Sequence, residues 1–166
     1  KFDEIENDQD AINNYTTNVR RIGFDKVDLN NWEASFYNQH HIDYSERWKS
    51  FYCDRNKKHE QDLLNKLNLP EKFAFVSTTA STGKQNITID TTLPIIELQH
   101  LTKNMFDWIT VLERATELHT IDSSIFHLIK QYKFNKRKVF YDTKKLDATR
   151  TKHTFEDDSW QTIVAN

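Results

Sequence analysis

The sequence predicts one soluble α/β domain with a mainly parallel sheet, and three observations carry that expectation. The C-terminal half alternates helix-type and strand-type segments with short connections, the pattern of a parallel sheet with covering helices. A length of 166 residues with 37% hydrophobic content suits a single core. Only two glycines and two prolines are present, which speaks against turn-rich all-β, collagen-like or linker architectures.

Taken in order, Phe2–Ile5 reads as a strand, Asp8 as a helix cap, and Val19–Gly23 as a second strand. Residues 28–51 are aromatic and polar, and the spacing of Trp32, Phe36, Tyr37, Tyr44, Trp48 and Phe51 predicts short helices around a turn at His40–Asp43. Asn56 caps a helix to about Leu67, with Glu60, Leu63, Leu64 and Leu67 on one face and Pro70 beyond its end. Phe73–Val76 is a strand, Ser77–Gln85 a polar loop, and Asn86–Ile89 and Pro94–Leu98 are weaker extended segments. Asn104 caps a helix whose stripe is Met105, Trp108, Ile109 and Leu112. Leu118–Ile121 is a strand; Asp122-Ser123-Ser124 then open a helix with Ile125, Leu128, Ile129 and Tyr132 at i, i+3, i+4 and i+7. Val139–Tyr141 is the next strand.

Composition narrows the function classes. With 23 basic and 25 acidic residues, net charge −2, there is no basic stripe for nucleic acid and no field that draws the chain to a membrane surface. The basic cluster Lys133–Lys138 is expected to be a solvated helix end and turn. No apolar run approaches the ~20 residues of a bilayer span. The single cysteine, Cys53, has no internal disulfide partner, which fits a reducing compartment or a protein that never needed staples, and a cytoplasmic location is the expectation. The sequons at Asn14 and Asn86 matter only for a secreted chain.

Ligands of open parallel sheets bind beyond the carboxyl ends of the strands. Two places meet that description. Asp122-Ser123-Ser124 follows a strand and begins a helix, where unpaired N–H groups and the dipole suit a phosphate; ordinary capping by Asp and Ser explains the same residues. The loop Ser77–Gln85 carries Thr78, Thr79, Ser81, Thr82, Gly83 and Lys84. It departs from a P-loop, since no glycine precedes at the right spacing and Gln85 stands where Ser or Thr holds magnesium. Asp8-Gln9-Asp10 has metal-diphosphate spacing at a helix start, and His40, His41 and Asp43 lack further ligands at recognisable spacing, so no metal is expected. His119 is expected to be a satisfied core histidine.

The segment Thr102–Trp108 followed by Ala115–Ser124, reading ATELHTIDSS, resembles glycosyltransferase-like proteins of bacteria and phages, in which a helix of N-x-F-D type leads to a strand reading roughly A-x-E-I-H-x-I-D-S-S-F. Phe36-Tyr37, Tyr44–Phe51, Phe73–Val76 and Trp160 agree in order, so the resemblance spans about residues 20 to 163. It implies a GT-B architecture of two facing Rossmann-like domains: residues 1–24 as the remnant of an N-terminal domain and 25–166 as the donor-binding one. It also implies a nucleotide-sugar as donor substrate, no further cofactor and no bound metal, with Ser123 and Ser124 beside the donor diphosphate. Asp122, Thr78, Lys84 and Arg150 complete the expected donor-binding set, and Lys144 is a further charge partner.

Two departures define the alternative. The family often carries His-Asp and then Arg after the strand matching Phe73–Val76, where this chain has Ser77, Thr78 and Thr79; a Gly-rich loop after a first strand is absent. The chain is then a fragment, with a protein partner supplying N-terminal elements, or a non-catalytic phage or virion-associated interaction module. In the latter, exposed Trp32, Tyr37 and Trp48 would be the contact residues.

Overall fold

The computed structural model of the protein describes residues 23–81, 83–143, 155 and 157–165. Its strands are β1 (Ala74–Ser77), β2 (Thr79–Ala80), β3 (Gly83–Lys84), β4 (Ile95–Glu97), β5 (Glu117–Thr120), β6 (Arg137–Asp142) and β7 (Trp160–Val164). Its helices are α1 (Trp32–Asn38), α2 (Glu46–Lys49), α3 (Lys57–Lys66), α4 (Ile109–Arg114) and α5 (Ser124–Tyr132), with a 3₁₀ turn at Met105–Trp108 leading into α4. Five strands form one sheet in the order β4-β1-β5-β6-β7, and every neighbouring pair is parallel. The parallel α/β expectation therefore holds. The segment expected at Phe2–Ile5, that at Val19–Gly23 except Gly23, the Asp8 cap and nearly all of the proposed 1–24 remnant lie outside the described residues.

The strand order is that of a doubly wound sheet, and it fixes where the connections run. From β1 the chain moves one way to β4, then returns past β1 to β5 and continues to β6. Right-handed crossovers place connections that travel in opposite directions on opposite faces. The two that travel together carry α4 and α5, and these share one face. There Phe75 and Leu118 meet Trp108, Leu112, Ile125 and Ile129 in the main core, joined by Leu63 of α3. Each fully buried side chain of this size contributes roughly 1.5–3 kcal/mol relative to exposure. The β1–β4 connection travels the other way and covers the second face with Ile87 and Ile89, which pack on Ile121, Val139 and Tyr141.

Local signals explain the helix boundaries. The Asn56 side chain accepts from the His59 N–H at the start of α3, and Asn104 does the same for Phe106. Glu60, only 2% exposed on the apolar face of α3, is held by Arg55 (2.5 Å), which also reaches Glu113. Hydrogen bonding from Arg55, with Thr110 assisting, pulls the Glu60 carboxyl down to about 2. α5 ends with Lys133 in the left-handed region (φ 47°), a position glycine usually fills in a chain that has only two.

Three expectations are corrected. The basic cluster Lys133–Lys138 is not a solvated turn. Lys136 donates to the carbonyls of Leu112, Glu113 and Ala115 and so caps α4, while Lys138 is fully buried in β6 against Asp157 (3.1 Å). The stretch Ser77–Gln85 is not a plain loop, because β2 and β3 pair as an antiparallel hairpin whose turn uses Gly83 at φ 104°. Asn86–Ile89 joins no ladder and instead lies across the sheet. β7, by contrast, was not anticipated as a strand.

The N-terminal aromatic region folds as short helices with its rings mutually packed: Trp32 on Phe36 at 5.4 Å and Tyr37 on Tyr44 at 5.4 Å. Glu33 joins this layer to α5 through Lys130 (3.1 Å) and binds Arg47 (2.7 Å), which stacks over Trp48. Burial, then the hydrogen bond to Glu33, pushes the Tyr44 hydroxyl up to about 12. Trp32, Tyr37 and Trp48 are half-buried here, whereas Phe24 (73%), Phe51 (37%) and Tyr52 (80%) are exposed.

Candidate functional site

The crevice of a doubly wound sheet lies where the strand order reverses, at the carboxyl ends of the two strands on either side. Here those strands are β1 and β5, and a cleft of about 860 Å³ opens there. One wall is Ser77 of β1 with Thr79, Ala80, Ser81 and Gln85 from the hairpin. A second is the segment after β4, with Leu98, Gln99, His100, Thr102 and Lys103. The third is Ile121–Ile125 with His127, and Met105, Trp108 and Thr143 complete the lining. The two places that the sequence points to separately thus border one cleft.

At the start of α5, Ser123 is the N-cap. Its hydroxyl accepts from the Phe126 N–H (3.4 Å) and donates to the Ile121 carbonyl (3.1 Å), so its proton is committed within the fold. Helix geometry leaves the N–H groups of Ser124 and Ile125 without intrahelical acceptors, and Ser124 is exposed at the cleft. The capping and ligand readings therefore divide between the two serines. Asp122 has Oδ1 3.7 Å from Nε2 of His127, whose Nδ1 lies 3.8 Å from Glu33.

Ser77 is the least expected member. It is 1% exposed, its hydroxyl has no hydrogen-bond partner, and it borders the cleft. Buried hydroxyls are nearly always paired, so an orphan at a cleft wall points to a group that arrives from the cleft. Among the other expected residues, Thr78 is buried and does not border the cleft, although its neighbours Ser77 and Thr79 do. Lys84 points elsewhere and pairs with Glu97 at 2.8 Å. Arg150 and Lys144 lie outside the described residues. His100, Lys103 and His127 border the cleft without having been singled out. The signal for the first two was their place just after a strand end, and for His127 its place four residues after the cap.

His119, on β5 itself, is fully buried as expected, within a polar network on the second face. Its Nδ1 lies 3.0 Å from the Tyr141 hydroxyl and its Nε2 3.0 Å from Glu117. The Tyr141 oxygen accepts from the Asp90 N–H (2.8 Å), so its proton serves Nδ1 and the imidazole presents Nε2–H to Glu117. Burial foremost holds the His119 pKa below its ordinary value. Burial would raise Glu117, but Thr91, His119 and Arg137 together bring it below the ordinary carboxylate value. No cluster of three or more His, Cys, Asp or Glu side chains is placed to hold a metal among the described residues, His40, His41 and Asp43 included. No helix among the described residues is long and apolar enough to cross a membrane.

No family model, curated protein or solved structure matches the chain, so its function has to be read from the cleft itself.

Proposed function

We propose that the chain binds a nucleotide-activated sugar in the β1/β5 cleft, as the donor-binding half of a GT-B-like glycosyltransferase. The observation that carries this reading is the orphaned Ser77 hydroxyl, which borders the same cleft of about 860 Å³ as the N-terminus of α5. That volume falls in the range of small-molecule sites, about 300–1,000 Å³. The N–H groups of Ser124 and Ile125 and the Ser124 hydroxyl suit a diphosphate, and Lys103, in the segment after β4, brings positive charge to the same cleft. The resemblance at Glu117–Ser124 supplies the sugar.

In transfer, an acceptor hydroxyl oxygen bonds to the anomeric carbon as the carbon–oxygen bond to the diphosphate breaks. The nucleoside diphosphate leaves with the electron pair, and the acceptor's proton passes to a base. The helix-terminal N–H groups meet the negative charge that develops on the leaving group, where fixed donors act most strongly.

A second reading is favoured by the scarcity of carboxylates at the cleft. Among the described residues Asp122 is the only carboxylate bordering the cleft, and Ser77-Thr78-Thr79 replaces the charged set of the resembling proteins. The chain would then bind the same ligand without turning it over.

Thermal-shift and calorimetric titrations with UDP, GDP, ADP, CMP and their sugar conjugates test the binding. One nucleotide class should raise the melting temperature. Ser77→Ala combined with Ser124→Ala should weaken that ligand about 10–100-fold, from two lost hydrogen bonds of ~0.5–1.5 kcal/mol each. The unliganded fold should not suffer, because Ser77→Ala removes a buried group with no partner. A response to none of the nucleotides overturns the proposal, and binding without donor hydrolysis or transfer selects the second reading.

A further inference from the structure

We infer that His119 and Tyr141 form an acid-sensitive latch beneath the cleft: with a neutral imidazole the pair holds residues 85–93 on the second face of the sheet, and a proton taken up by His119 from solvent releases them. The latch does not depend on what the cleft binds.

The order of the hydrogen bonds makes the pair sensitive to protonation. The Tyr141 hydroxyl accepts from the Asp90 N–H (2.8 Å) and lies 3.0 Å from Nδ1 of His119, so that nitrogen is the acceptor for its proton. A protonated imidazole is a donor at both nitrogens. Its Nδ1–H would meet a hydroxyl that is itself donating, in a site where Tyr141 is 1% and His119 0% exposed. A buried donor stripped of its acceptor is costly, and lifting the cover lets water satisfy it.

The charges around the ring come from three elements. Glu117 on β5 lies 3.0 Å from Nε2 and favours the imidazolium. Arg137 on β6 binds Glu117 (3.2 Å) and opposes it, and Asp90 in the connection is in turn held by Arg137 (2.6 Å). The β1 residue in register with His119 is the uncharged Val76. Burial outweighs the two carboxylates and keeps the closed ring below its ordinary pKa. Once water reaches the ring, it takes up a proton near the ordinary value of about 6.5. Protons therefore favour the released form.

The latched layer also backs the cleft. Ile87 and Ile89 pack together with Ala80 on Ile121, Val139 and Tyr141. Ala80 and Ile121 border the cleft, as does Gln85 where the segment begins. Release of the segment removes the packing behind these residues, so acid loosens the hairpin side of the cleft.

Hydrogen exchange of the full chain between pH 8 and pH 5, corrected for the intrinsic pH dependence of exchange, tests the latch. Opening of residues 85–93 should be constant above about pH 6.5 and increase by up to about 10-fold per pH unit below it. Residues 79–81 should follow, while α4 and α5 stay unchanged. His119→Gln keeps an amide that can accept from Tyr141 and donate to Glu117 but cannot titrate, so the rise should vanish. A flat wild-type profile, or the same rise in the variant, overturns the latch; a rise that spares residues 79–81 overturns its link to the cleft. Should the variant fail to fold, the imidazole ¹⁵N shifts of the wild type decide. An Nε2–H tautomer that gains its proton in step with opening supports the latch, and protonation with residues 85–93 still protected overturns it.

Discussion

The two faces of the sheet are made from alternate residues of the same strands, yet different chemistry closes them. On one face the rows containing Phe75, Leu118 and Phe140 lie beneath helices, and Phe75 meets Trp108 at 5.8 Å. On the other, Val76, His119 and Val139 lie in one row beneath a connection that has no regular structure between Lys84 and Ile95. A helix satisfies its own backbone, so it can press an apolar stripe onto the sheet and need little else. An irregular segment arrives with unpaired N–H and C=O groups, and each must find a partner before the segment can lie down. The Asp90 N–H takes the Tyr141 hydroxyl, and the Asp90 carbonyl takes Arg137 at 2.7 Å. Thr91 reaches Glu117 at 2.7 Å. The second face is closed by hydrogen bonds because its cover is a loop.

The comparison predicts different costs on the two faces. The largest effect should come from Phe75→Ala, which opens a cavity in the helix-covered core. A loss of about 3–5 kcal/mol is expected in urea unfolding, spread over the whole domain. A loss below about 1 kcal/mol would mean that the helices do not close that face as described. Tyr141→Phe should cost less, about 1–3 kcal/mol, by orphaning the Asp90 N–H and the His119 Nδ1 acceptor. Its effect should also be local: hydrogen exchange should speed up across residues 85–93 and remain unchanged in α4 and α5. Uniform acceleration would show that the connection is not a separate layer.

The same contrast separates what was legible in the sequence from what was not. The helix-covered face was legible because periodicity reports it directly: the stripe of α5, the Asn56 and Asn104 caps, and β1, β5 and β6 all appear within a residue or two of expectation. The cleft was half legible. A strand followed by Asp-Ser-Ser or by a hydroxyl-rich stretch marks a carboxyl end, but only the strand order reveals that β1 and β5 are neighbours. The loop-covered face was illegible. Nothing local tells Ile87 and Ile89 to lie across a sheet, and the groups that hold them there are tens of residues away, as Asp90 is from Tyr141. Lys136 and Lys138 misled for the same reason, since composition shows their charge and conceals the carbonyls and the Asp157 carboxylate that receive it.

The smallest predicted effect tests whether the second face is polar by necessity. His119 is neutral in its network and holds a pKa below the ordinary histidine value, with burial the chief cause and Glu117 only partly opposing it. An unfolded histidine titrates near about 6.5. Above that pH neither state binds a proton and stability does not depend on this residue. As pH falls below it, the unfolded chain takes up a proton that the folded chain refuses, and stability declines by at most about 1.4 kcal/mol per pH unit. Glu117 adds a second loss at lower pH, because its folded pKa lies below the reference value of 4.5, so its contribution fades as protonation sets in beneath that value. Urea midpoints measured from pH 8 to pH 5 should therefore be flat and then fall, and His119→Gln should flatten the upper part of that fall. Equal slopes in the two proteins would place the titrating group elsewhere among the seven histidines. The network would then be a set of contacts that tolerates protonation, and the loop-covered face would depend on Ile87 and Ile89 as the helix-covered face depends on its own apolar stripe.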